Sequence, residues 1–215
     1  MNSRELTPQT IFKAAQSPVG WLLSAENLRE AAEAIIARED QFLVPYLRAH
    51  EAATKEAIAI AYSQGNDAGH AEINARAPNY PPAQMLYAFA IENVLKGLIV
   101  ANDASLIDSD KLNTALKDHD LAALAKRAAF DVHAQEVPVL RALSELAVWA
   151  GRYPVAIYAR DFVAVPNADE LMDYGSRNPI MADFFKRAYA ALEAKLPQPV
   201  GSRSGAVVVF RQPGT

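Results

Sequence analysis

Apolar residues recur along most of this chain at steps of three and four residues, which is the spacing of one face of an α-helix. The first such face predicts a helix over residues 19–38. A second pattern predicts a helix from Pro45, a residue suited to the first helical position, to Gly65, which ends it. The apolar positions of the first face are Trp21, Leu22, Ala25, Leu28, Ala32, Ile35 and Ile36.

A third segment is apolar on nearly every side. Residues 65–81 carry helix-breaking residues and no period, so we expect a loop there. Pro82 then opens a helix that continues through Ile99. Because a helix without a polar face has to be covered by its neighbours, this segment is predicted to be the central helix of the fold.

Capping residues mark the loop after the central helix and the two helices that follow. Ser109 is suited to cap a short turn of helix within the loop. Asp118 is suited to cap a helix over residues 119–131. Pro138 predicts the start of the next helix, and Gly151 predicts its end.

The two ends of the chain complete the predicted architecture. Asn178–Pro179 predicts the start of a last helix. Residues 1–18 are polar and predict a loosely docked arm, and residues 197–215 predict a flexible or strand-like tail. Residues 19–196 are therefore expected to form an all-α, up-and-down bundle of five or six main helices, followed by an irregular C-terminal tail.

Composition and charge narrow the classes of function. Hydrophobic residues make up 51% of the chain and charged residues 21%, as in ordinary folded proteins. The net charge of −4 gives no overall attraction to nucleic acid, so a nucleic-acid site would have to be a local basic patch. The absence of cysteine excludes disulfides, thiolate metal sites and cysteine nucleophiles. With no secretory pattern in Met1 to Leu6 and charges interrupting the apolar stretches, we expect a cytoplasmic protein without a membrane partner.

Four short motifs follow one another in a fixed order. They are an Ala- and Leu-rich helix that begins near Trp21, the pair Glu92 and Lys96, the run His119-Asp120-Leu121 and the run Arg152-Tyr153-Pro154. In this order and spacing, the motifs resemble those of the HEPN family (higher eukaryotes and prokaryotes nucleotide-binding). The resemblance covers residues 19–196, with residues 45–81 as an insertion.

The resemblance implies a small α-helical bundle that forms a homodimer through its central helices. It also implies that the ligand is a nucleotide, an RNA segment or a protein partner. The partner types of the family include a nucleotidyltransferase, in the manner of toxin–antitoxin pairs.

Four residues of these motifs are candidates for binding a nucleotide or phosphate. Lys96 could hold a phosphate or form a salt bridge with Glu92 four residues earlier. His119, near a helix start, could bind an anion together with free backbone amides, or pack locally. Arg152 and Tyr153 could hold a phosphate and stack on a base, or terminate the preceding helix and turn the chain.

A catalytic alternative rests on Arg127 and His133. Many HEPN ribonucleases carry an arginine shortly before a histidine, duplicated across a dimer, and cleave RNA without metal. Such a pair would deprotonate a ribose 2′-hydroxyl and stabilise the developing charge on the phosphorus. The spacing fits, but Arg127 is followed by Ala128, Ala129 and Phe130 rather than by the polar residue usual in that branch.

The first functional hypothesis is therefore a non-enzymatic HEPN-like binding protein, and the second a metal-independent endoribonuclease. A third is a purely structural interaction module that docks through residues 45–64 and the tail. Neither a metal nor a cofactor is predicted, because the four histidines are dispersed and no glycine-rich phosphate loop occurs.

Overall fold

The computed structural model describes residues 7–65, 69–150 and 168–196, with the backbone alone described at 149, 150 and 168–178. The described part is all-α, which confirms the predicted fold class, and contains no strand. Its helices are α1 (Pro8–Ala15), α2 (Pro18–Gln64), α3 (Pro81–Asn102), α4 (Leu121–Arg127), α5 (Val137–Glu145) and α6 (Ala168–Glu193). A π-helical segment, Leu146–Ala150, directly continues α5.

Helix α3 is the centre of the bundle. Of its 22 residues, 13 are buried, and they lie on all sides of the helix because α2, α4, α5 and α6 pack around it. The predicted central helix is thereby confirmed, with its start at Pro81 instead of Pro82. By length and composition α3 could cross a membrane, and 72% of its most apolar window is buried inside the protein.

Gly97 lets three helices approach one another closely. A Cβ added at this position of α3 would lie 2.5 Å from Cδ2 of Leu192 on α6 and 3.0 Å from Cβ of Trp21 on α2. A side chain at position 97 would therefore displace Leu192 and crowd Trp21.

The predicted separate helices 19–38 and 45–64 are wrong, because α2 is one continuous helix of 47 residues, about 70 Å long. Pro45 lies inside it instead of opening a second helix. A proline in a helix removes one backbone hydrogen bond, but the bonds and side-chain contacts on both sides remain and outweigh that loss. The predicted end at Gly65 is confirmed, since this residue adopts the left-handed conformation, with φ 66°.

Residues 69–80, here called the strap, run back along the distal half of α2. At Gly69 the strap and α2 are so close that an added Cβ would lie 1.9 Å from the carbonyl oxygen of Ala57. Nearer α3, Tyr80 donates a hydrogen bond of 2.7 Å to Asp40 on α2. The described part of the predicted loop 65–81 is thus a loop, and it covers one side of the helix before it.

Two capping predictions are wrong. The short 3₁₀ turns after α3 are capped by Asp103 and Asn113 instead of Ser109. Helix α4 is capped by Asp120, because the carboxylate of Asp118 accepts the backbone N–H of Asp120 and so forms a turn before the helix.

The two remaining differences concern helix ends. Helix α4 stops at Arg127 instead of reaching residue 131, since Ala129 has a positive φ of 52° that reverses the chain. Helix α6 starts at Ala168, so the predicted start at Asn178–Pro179 is wrong. Pro179 lies within α6, and the helix continues after it through the buried Phe184. The predicted end of α5 at Gly151 lies outside the described residues.

The predicted N-terminal arm contains helix α1. Thr7 caps this helix by accepting the backbone N–H of Thr10. None of the α1 residues is buried, and the helix is held at its end by Gln16, whose side-chain amide donates to the carbonyl of Asp108 at 2.7 Å. The arm is therefore helical and attached to the bundle near the loop after α3.

Replacing Pro45 with alanine should stabilise the protein by about 1–2 kcal/mol, because the new N–H can bond to the carbonyl of Gln41. The gain is smaller than the full proline penalty, since alanine also loosens the unfolded chain. Urea unfolding measures the change, with Pro18→Ala as the control: Pro18 opens the same helix, where no internal bond is available. Destabilisation by P45A would show that α2 is broken at this point.

Candidate functional site

A cluster of three ionisable side chains lies where α3 meets the loop before α4. The Lys96 ammonium donates to Oε1 of Glu92 at 2.6 Å, and Nδ1 of His119 lies 2.9 Å from Oε2 of the same carboxylate. The side chains of Lys96 and Glu92 are only 5% and 8% exposed, while that of His119 is 50% exposed. We call this group the Glu92 cluster.

Local structure explains why these three side chains meet. Glu92 and Lys96 are one helical turn apart on α3, so both project from one face of the buried helix. His119 stands in the turn made by Asp118 and Asp120, just before α4. This turn is tied to α5 as well, because the backbone N–H of Leu121 donates to the hydroxyl of Ser144.

The three members of the Glu92 cluster have different chemical roles. Burying an ion pair is tolerated only when the two charges satisfy each other, and the 2.6 Å contact does so. Lys96 also lies 6.0 Å from the centre of the Trp21 ring, whose buried Nε1 has no hydrogen-bond partner among the described residues. His119 is the member that solvent reaches, and only its Nδ1 has a hydrogen-bond partner within the described part of the chain.

Arg127 and His133 are held in separate environments. Arg127 donates to the carbonyl of Ala115 and, at 3.3 Å, to Asp118. The pKa of Asp118 is lowered by the backbone N–H of Asp120 and by the nearby Arg127.

The surroundings of His133 are acidic on one side. Its backbone N–H donates to Glu136 at 2.7 Å, and its ring lies 3.5 Å from the same carboxylate and 3.9 Å from Asp131. Glu136 is buried and also accepts two hydrogen bonds from Arg187 on α6, at 2.7 and 2.8 Å. No hydrogen bond or ion pair joins Arg127 to His133 in the described part of the protomer.

The structure thus brings two of the predicted site residues together, Lys96 and His119, and leaves Arg127 and His133 with different partners. Arg152 and Tyr153 lie outside the described residues. No sequence pattern predicted the contact of Glu92 with His119, because the two residues are 27 positions apart and belong to different elements.

A second charged group, centred on Glu39 of α2, was not predicted from the sequence. Glu39 is buried and accepts two hydrogen bonds of 2.9 Å from Arg76 of the strap and a third of 2.9 Å from the backbone N–H of Asn79. These bonds, with that of Asn79 contributing most, lower the pKa of Glu39 below its ordinary value. The guanidinium of Arg76 also stacks 3.9 Å above the ring of Phe42.

A groove of about 340 Å³ lies between α2 and α6, and Tyr87 of α3 contributes to its lining. The hydroxyl of Tyr87 donates to Glu33 at 2.5 Å, so this acid is engaged within the protein. The remaining groove residues are Glu26, Arg29, Ala182, Phe185, Lys186 and Tyr189. The lining contains two acidic and two basic side chains, so its charge favours neither an anionic nor a cationic ligand. Across the described ranges, no three or more His, Asp or Glu side chains come together as a metal site would require.

No protein-family model, curated protein or solved structure matches this chain. The resemblance to the HEPN family therefore rests on the four ordered sequence motifs, and the all-α fold is consistent with it. The geometry of the Glu92 cluster has to support any functional assignment by itself.

Replacing Glu92 with leucine should destabilise the protein by about 3–4 kcal/mol, because it leaves the Lys96 charge buried and unpaired. Lys96→Met should cost about 2–3 kcal/mol, since His119 partly compensates Glu92. The double variant should lose about 1 kcal/mol or less, because neither charge is then buried. Urea unfolding of all four proteins gives the coupling energy.

The matched control is Glu51 and Lys55 on α2, which have the same helical spacing and the same 2.6 Å distance but are 67% and 73% exposed. Their coupling, measured at low protein concentration, should be about 0.5 kcal/mol or less. Equal coupling in the two pairs would contradict the assigned role of burial.

Glu39→Gln should make the protein less stable at neutral pH, and the deficit should shrink as the pH falls. The folded-state pKa of Glu39 lies below the ordinary 4.5, so its carboxylate contributes stability above about pH 4.5 and loses it as the pH falls through the folded pKa. Urea unfolding between about pH 7 and pH 3 measures this difference. Glu56→Gln, an exposed change on the same helix, should show no such trend, and a constant deficit for E39Q would refute the linkage.

Proposed function

We propose that this protein is a non-enzymatic, HEPN-like binding protein that acts as a homodimer and takes the phosphate of a nucleotide or of an RNA segment at the Glu92 cluster. The observation that carries the proposal is the half-exposed His119, oriented by a carboxylate that a buried lysine neutralises. The expected setting is the cytoplasm, with no membrane partner.

The orientation of His119 suits ligand binding. When Nδ1 donates to Glu92, the opposite ring nitrogen, Nε2, is left for an external group. Because Lys96 already offsets the charge of Glu92, protonation of His119 gives the cluster a net positive charge. A protonated histidine donates to phosphate oxygens through a charge-assisted hydrogen bond. Arg152 and Tyr153 of the same motif set would add a guanidinium and a ring for a base.

The described geometry favours binding over RNA cleavage. A ribonuclease of the proposed type needs Arg127 and His133 free to act on one phosphate. Here Arg127 is engaged by Asp118 and a backbone carbonyl, and His133 lies against Glu136 and Asp131. The exposed carboxylate of Asp131 would also repel an incoming RNA backbone. A nucleotidyltransferase-type protein remains a partner that the family resemblance implies.

Isothermal titration with ATP, and with a short oligouridylate, tests the proposal. His119→Gln should weaken binding by about 10- to 100-fold, the loss expected for one charge-assisted hydrogen bond. His50→Gln, a change of the same kind on α2, is the control and should bind as the wild type does.

Failure of the wild-type protein to bind either probe would refute the ligand class, and equal binding by H119Q would refute the site. Cleavage of the oligouridylate in the presence of chelator, lost in His133→Ala, would overturn the non-enzymatic assignment in favour of the ribonuclease.

A further inference from the structure

The distal half of α2, residues 44–64, has an exposed face that no other helix of the described ranges covers. The strap packs against the opposite side, where Ala53 is buried and Gly69 contacts Ala57. The exposed face carries large apolar side chains: Val44 and Ile58 are about half exposed, and Tyr62 is 85% exposed. Such residues on the solvent side of a helix indicate an interaction surface.

The exposed residues on this face have a regular spacing. Val44, Arg48, Glu51, Lys55, Ile58 and Tyr62, here called the seam, are all exposed. They follow one another at alternating steps of four and three residues, and the five steps average 3.6 residues. This alternation places all six on one face of the helix and is the spacing of the contact positions in coiled coils.

The charged and apolar residues of the seam are ordered so that they complement those of a second copy running in the opposite direction. In two antiparallel copies related by a two-fold axis at position 53, Glu51 of each copy faces Lys55 of the other. Val44 then faces Tyr62, and the aliphatic stem of Arg48 lies over Ile58. A two-fold interface requires this reciprocity, because each contact occurs twice with the partners exchanged.

The two other arrangements of the same face fit less well. In a parallel, in-register pair, Glu51 would face Glu51 and Lys55 would face Lys55, which places like charges together. An apolar partner would leave Glu51 and Lys55 in the middle of the contact without opposite charges. Within one protomer these two side chains already pair at 2.6 Å, and both are exposed enough to exchange partners across an interface.

We propose that the seam is a homodimer interface, in which the distal halves of two α2 helices pack antiparallel. This inference deepens the dimer of the proposed function and places it on α2 instead of the central helix. Six contact layers form an interface well below the typical size of about 1,600 Å², so we expect a dimer that dissociates on dilution.

Charge reversal tests the central layers of the seam. Glu51→Lys and Lys55→Glu should each weaken the dimer by about tenfold or more, because like charges then face each other. The double variant E51K/K55E should restore the wild-type dissociation constant, since the opposite charges are present again in exchanged positions. Light scattering and sedimentation over a concentration series measure the constants. Glu30→Lys makes the same charge change on α2 outside the seam and should have no effect.

Cysteine cross-linking tests the direction of packing, and the chain contains no native cysteine to interfere. The double variant V44C/Y62C should form a disulfide-linked dimer under mild oxidation, because residues 44 and 62 of opposite copies meet. They are about 27 Å apart within one helix, so they cannot bond within a protomer. Val44→Cys alone should stay unlinked in the antiparallel arrangement and cross-link in a parallel one.

If neither charge reversal changes the dissociation constant, or if V44C alone cross-links, the antiparallel seam is refuted. The protein would then dimerise in another arrangement or through another surface. A strict monomer at high concentration removes the seam and the dimer together. Ligand binding at His119, measured separately, is unaffected by either result.

Discussion

The burial of α3 on all sides is the constraint on which the rest of the structure depends. A helix with 13 of 22 residues buried needs neighbours around its whole circumference, and α2, α4, α5 and α6 supply them. Polar residues on such a helix must be satisfied within the protein, because water does not reach them. Glu92 and Lys96 therefore bond to each other, and the one carboxylate oxygen left over determines where His119 can sit. The candidate site is in this sense a consequence of the core.

The unequal lengths of α2 and α3 shape the other end of the molecule. With 47 residues against 22, α2 extends well beyond the helix that packs along it. The strap covers one side of this extension of α2. It is held by polar contacts to Glu39 and Asp40 instead of by a hydrophobic core. A strap covers only one side of a helix, so the opposite side of the distal half remains exposed and carries apolar residues that a protomer alone does not bury.

The sequence predicts the parts of this fold that depend on local patterns, and it fails where two local preferences compete. The run that is apolar on nearly every side identified α3 correctly, and the conformational freedom of Gly65 marked the end of α2. Pro45 and Pro179 looked like helix starts because proline is favoured there, yet α2 and α6 continue through them. Asp118 and Asp120 are both good caps, and only the geometry of the turn selects the second. Contacts between distant segments, such as that of Glu92 with His119, leave no local signal.

Two pairs in this protein show why spacing alone does not define a site. Glu92 with Lys96, and Glu51 with Lys55, have the same order, the same separation along a helix and the same 2.6 Å contact. Their exposure differs about tenfold. The buried pair cannot release its lysine without leaving a charge in the core, so it acts by holding His119 in place. The exposed pair can exchange partners at little cost, which is the property that a reversible contact between two protomers requires.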